Sequence, residues 1–176
     1  MTQKKQMVTA AFRNQLDAEG AYESLREMGY ADDEINVLMS EKTRTHWYEG
    51  ADKSAKHQVG SEAIEGVGVG GAVGTVVGAA LGAVVAIGTT IALPGLGLIV
   101  AGPILAALAG GGAGALTGGL VGGLVGLGLS KENAEAYQEL LRKGGAAVGV
   151  KPHESAHVSK IEKLFKDYNG ENIIYS

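Results

Sequence analysis

The chain holds few side chains arranged for chemistry. His153 and His157 have the i, i+4 spacing that places two imidazoles on one helix face, as in many zinc sites. A site needs at least one more ligand, and His46 and His57 stand far away in the sequence, so the pair reads as decoration of a solvated helix turn. Asp32, Asp33 and Glu34 precede an apolar run, where a charged helix-to-strand connection explains them as well as a cation would. With no cysteine there is no thiolate ligand, cysteine nucleophile or disulfide. No serine, histidine and acid fall into a triad pattern, and Ser130 and Ser155 read as helix starts, their hydroxyls accepting from first-turn amides. The expectation is a protein that is not an enzyme, with no cofactor, no metal and no small-molecule substrate.

Glycine offers a second kind of chemistry, because a glycine loop at a helix start can cradle phosphate. The run GVGVGG begins at Gly66, but it follows the polar SEAIE instead of a strand, and the chain carries no charge between Glu65 and Lys131. No P-loop lysine is therefore available, and nucleotide binding is not expected. Disorder fits no better, since disordered segments are polar and charged.

The glycines instead form rows. Gly66, Gly70, Gly74, Gly78 and Gly82 fall four apart and Ala86 continues them; Ala106, Gly110, Gly114, Gly118, Gly122 and Gly126 form a second row. The two rows mirror each other about residue 96, inside LPGLG, where Pro94, Gly95 and Gly97 suit a turn. Small residues every fourth position let two helix backbones approach closely. The pattern predicts an antiparallel glycine-zipper helical hairpin, its second arm running from about residue 98 to 129. Each interior glycine costs a helix roughly 1 kcal/mol relative to alanine, so the hairpin needs packing to survive.

The flanking segments must position this insertion. Residues 7–12 and 35–39 read as strands around a helix whose apolar face is Ala18, Ala21, Tyr22, Leu25 and Met28, with Gly29 as its stop. After the insertion, Lys131–Arg142 reads as a helix ended by Gly144-Gly145, Ala146–Val150 as a strand, residues 156–168 as an apolar helix face, and 172–175 as a last strand. Setting aside the helix at Lys131, the order is βαββαβ. That predicts an α+β fold, a ferredoxin-like sandwich divided at 1–60 and 131–176 by the hairpin at 61–130.

The hairpin's outer Val, Leu and Ile faces must be buried. Each arm is long enough for a bilayer core, its loop is uncharged, and Lys53, Lys56, Lys131, Arg142 and Lys143 flank the side that would stay cytoplasmic. Trp47 and Tyr48 would sit at the lipid interface or pack on the domain. The alternative is a soluble ring, cage or filament with the hairpins at its core. The expected partners are a lipid membrane and further copies of the chain, on the cytoplasmic side of the inner membrane or, for a soluble assembly, in the cytoplasm. A net charge of -4 and a pI near 5.6 argue against nucleic acid, and the start lacks the apolar run of a signal peptide.

The blocks VTAAFRNQLDAEGAYESLREMGYADDEINVLM, LPGLGLIVAGPILAALAGG and LSKENAEAYQELLRKGGAAVGVKP resemble bacterial stress proteins of the general stress protein 17M type, or heat-induced stress protein domains. The resemblance implies a role in stress tolerance and carries no catalytic residues.

Overall fold

A computed structural model of the chain describes residues 7–48, 89–93, 96–104, 112–126 and 129–175. Strand β1 is Val8–Phe12, helix α1 Gln15–Glu27, β2 Ile35–Ser40, α2 Glu41–Tyr48, β3 Thr89–Leu93 and β4 Leu96–Ala101. Helix α3 is Gly112–Gly126, α4 Lys131–Arg142, β5 Ala146–Val150, α5 Ser155–Asp167 and β6 Glu171–Tyr175. The fold is α+β. The strands make one sheet in the order β3-β4-β2-β5-β1-β6, and every neighbouring pair is antiparallel.

Alternation along the strands sends side chains to two faces, and both are covered. Val8, Ala10 and Phe12 of β1, Ile35, Val37 and Met39 of β2, and Ala146, Val148 and Val150 of β5 share one core with Ala18, Ala21, Tyr22 and Leu25 of α1 and Ile161 and Phe165 of α5. Phe12 and Phe165 meet edge to face at 5.7 Å. Ala11, Leu38, Leu98, Val100, Ala147 and Ile174 belong to a second core, closed by Ile104, Leu120 and Leu124 of the insertion and by Ala134, Tyr137, Leu140 and Leu141 of α4. Covering both faces explains why β2 and β5 are buried at every position, a pattern unlike the half-polar strands of a one-sided antiparallel sheet.

The helix ends follow their local signals. Asn14 Oδ1 accepts from Asp17 N at 2.9 Å, and Gly29 takes φ 94° while Tyr30 N–H bonds back to Leu25 O. Ser130 Oγ caps α4 through Asn133 N, and Gly144 at φ 91° ends it, with Gly145 N–H bonded to Leu140 O. Ser155 begins α5, but Glu154 holds the capping position and no side chain caps that helix.

The middle of the insertion differs from the expected helical hairpin. A reversal does occur at its centre, since Leu93 pairs with Leu96, but strands flank it instead of helices. Leu98 to Ala101 of the expected second arm pair with β2, so this part of the insertion extends the domain's own sheet. Gly97 lies in β4, not in the turn, and a Cβ there would come within 2.8 Å of Glu41 Oε2. Four β-branched or leucine residues in the stretch LGLIVA outweigh helix propensity once β2 offers an unpaired edge. At its end Gly102 takes φ 87°, where a Cβ would stand 2.3 Å from Ile35 O, so the chain leaves the sheet at a point only glycine fits.

Candidate functional site

The insertion carries the sequence's strongest signal, and its described part can be traced residue by residue. Gly66, Gly70, Gly74, Gly78, Gly82 and Gly110 lie outside the described residues, as do Pro94 and Gly95. Gly114, Gly118, Gly122 and Gly126 are all in α3. The row is not straight there: Gly119 has φ 60° and ψ -150°, a break that puts Gly114 and Gly118 on one side and Gly122 and Gly126 on the other. Beyond the break, Leu120 and Leu124 are buried against the sheet, Gly122 is half-buried, and Val125 and Gly126 are exposed. One side of this segment is therefore spent on the domain and the other is available.

Asn36 fastens the entry to this layer. It is 5% exposed, and its Oδ1 accepts from Ile104 N at 2.6 Å, satisfying a buried polar group and pinning the chain just after β4. Beneath the layer lies an apolar hollow of about 20 Å³, bordered by Thr9, Asn36, Leu124, Tyr137 and Gly149. Substrate and cofactor sites need roughly 300 Å³ or more, so this hollow is a packing imperfection on that scale. Tyr137 crosses the same core to donate from its hydroxyl to Asn172 O at 2.9 Å, tying α4 to β6, and burial raises its pKa.

The histidine pair belongs to a different place. His153 precedes α5 and His157 lies in its first turn, with ring centroids 6.4 Å apart. Tyr30, 2% exposed, bonds to both residues: it donates its hydroxyl proton to His157 Nδ1 across 3.0 Å when that nitrogen is unprotonated and accepts from His153 N at 3.3 Å. His153 Nε2 meets Glu34 Oε1 at 2.7 Å. The Ala31 N–H and then His153 hold the Glu34 carboxyl below its usual pKa, while burial raises that of Tyr30.

These hydrogen bonds make the cluster a clasp between the turn before β2 and the start of α5. Among the described residues, no group of three or more histidines and acids is placed to hold a metal. Asp32, from the acidic run, accepts from Tyr22 Oη at 2.8 Å and pairs with Arg26 at 2.8 Å, again local pairing. His46 is exposed on α2, and His57 lies outside the described residues.

Two features were missed in the sequence. The β3–β4 hairpin had a signal, TTIAL and LGLIVA around Pro94-Gly95, the pattern of two β-rich runs closed by two turn residues. Helix α2 had little apolar periodicity; it is held by packing, with Ser40 Oγ accepting from Thr43 N at its start and Trp47 and Tyr48 lying half-buried against the first core. That contact, on the domain, is one of the two roles the sequence allowed the aromatic pair. No helix among the described residues is long and apolar enough to cross a membrane. Comparison of the chain with family models, with curated proteins and with solved structures gave no match.

Proposed function

We infer that this chain is a non-enzymatic protein that self-associates through its glycine-rich insertion, carried on a ferredoxin-like domain. The carrying observation is the division of labour in α3: Leu120 and Leu124 are committed to the sheet, while Val125 and Gly126 remain exposed in a segment with no charge between Glu65 and Lys131. The ferredoxin-like assignment is supported by the order β6-β1-β5-β2 within the sheet, with α1 and α5 packed on one face. The stress-tolerance role follows the resemblance and is part of the proposal.

Of the two surroundings that could bury the insertion, the topology favours protein. β2 precedes and β4 follows the uncharged stretch 66–88, yet these strands pair with each other, so a single crossing would place paired strands on opposite sides of a bilayer. Two crossings need about 40 apolar residues, and this stretch is only 23 residues long. A soluble assembly with glycine faces in contact meets no such conflict.

Sedimentation of the full chain at micromolar concentration tests the reading. Gly74→Leu and Gly118→Leu are expected to weaken association about tenfold or more, and Val77→Leu to leave it nearly unchanged, because bulk on the close-packed face separates the backbones. A monomeric full chain, or equal effects of all three substitutions, would reject the assigned faces. A monomer that floats with lipid vesicles would replace assembly by membrane attachment.

A further inference from the structure

Among the described residues the sheet has two outer strands, and they are built differently. β6 is blunted: its pairing with β1 slips between Thr9 and Ala11, Asn172 takes φ 48°, and Glu171 is held by the Arg13 guanidinium through two contacts of 2.7 Å. A bulge, a kinked backbone and a fixed charge are the devices that stop an edge from pairing with another chain. β3, at the other end, reads Thr-Thr-Ile-Ala-Leu and has none of them: no charge, no proline, and an unbroken register with β4 from Thr89 to Leu93.

We propose that β3 pairs edge to edge with β3 of a second copy of this chain, joining the two sheets antiparallel about a two-fold axis at Ile91. This deepens the self-association reading and rests on it. Charge selects the occupant. An antiparallel pair of identical strands sets each residue near its own counterpart, so any charged residue close to the axis faces a like charge. β3 carries none, and neither does any residue between Glu65 and Lys131, so this edge can meet its own copy without repulsion.

Register supports the position of the axis. Leu93 and Leu96 close a two-residue hairpin, and the alternation of an antiparallel ladder from that pair turns the backbone groups of Ala92 and Thr90 away from β4. With the axis at Ile91, Thr90 of one chain meets Ala92 of the other, and both pairs of outward groups are satisfied. Five residues a side bury less than the roughly 1,000 Å² that a stable dimer needs. The strand pairing therefore sets the symmetry of association without supplying all of its area.

The absence of cysteine makes the test clean. Ile91→Cys is introduced into the full chain, oxidised mildly, and run on a non-reducing gel beside Leu16→Cys, whose site is 78% exposed on α1. The expected result is a cross-linked dimer with Ile91→Cys at least about tenfold faster than with Leu16→Cys, since a non-hydrogen-bonded cross-strand pair brings Cα atoms to about 4.5 Å. Thr90→Pro, which removes only an outward N–H, should keep the folded circular dichroism spectrum and weaken dimerisation roughly tenfold or more. An oligomer that persists while Ile91→Cys cross-links no faster than Leu16→Cys overturns the strand pairing and leaves self-association standing. A monomeric wild-type chain overturns both.

Discussion

Truncating Leu124 to alanine measures how firmly the insertion is bound to the domain. Leu124 is 2% exposed in the second core, and its sequence neighbour Val125 is 42% exposed on the same helix. Removing three buried carbons at about 0.8 kcal/mol each gives roughly 2.4 kcal/mol, and a residual cavity adds more. The addition should be small here, because the backbone break at Gly119 lets the following segment settle toward the sheet. A loss of about 2.5 to 3 kcal/mol is expected, against less than about 0.5 kcal/mol for Val125→Ala. With an m-value near 2 kcal/mol/M, the urea midpoint should fall by about 1.3 M for the first variant and barely move for the second. Both chains are compared at one fixed protein concentration, since association adds to apparent stability. A Leu124→Ala loss under about 1 kcal/mol, or equal losses for the two variants, would mean that α3 does not close the second core.

Two further outcomes follow from the backbone and from the surface charges. Gly29 and Gly102 both have positive φ, but a Cβ at Gly29 meets nothing within 4 Å while one at Gly102 meets Ile35 O at 2.3 Å; Gly29→Ala should cost about 1 kcal/mol and Gly102→Ala at least about 2 kcal/mol more, read as thermal midpoints. The carboxyls of Glu34, Glu162 and Glu171 are held below their ordinary value of 4.5 by hydrogen bonds, chiefly from Ala31 N–H, Lys166 and Arg13 respectively. Groups depressed in the folded state stabilise it fully above the unfolded pKa and lose that contribution as pH falls through the folded one, so urea midpoints should drop below about pH 4.5. Glu171→Gln should flatten that drop, and an unchanged acid limb would refute the Arg13 assignment.

The outer segments were legible because each element there is specified locally. The sequence marks Ala146–Val150 and Lys131–Arg142 with the bounds they have, since Gly144-Gly145 and Ser130 are sharp stop and start signals. What that reading left out was the place of α4. Its face of Ala134, Tyr137, Leu140 and Leu141 was plain, but nothing local says which side of a sheet an amphipathic helix covers. The all-apolar β5 and largely apolar β2 held the missing information, because strands buried on both sides require two helical layers.

The insertion was harder to read because two periods overlap in it. A glycine every fourth residue is compatible with a helix, but it does not compel one, since each glycine also disfavours helix in water. Over Leu96–Ala101 the competing signal is β-branched and bulky, and an open edge on β2 decides the contest through a ladder running from Val37 and Ala101 to Ser40 and Leu98. From Gly112 onward no strand offers itself, helix forms, and leucines four apart, Leu120 and Leu124, find the sheet's second face. The same composition thus yields strand beside an edge and helix above a face.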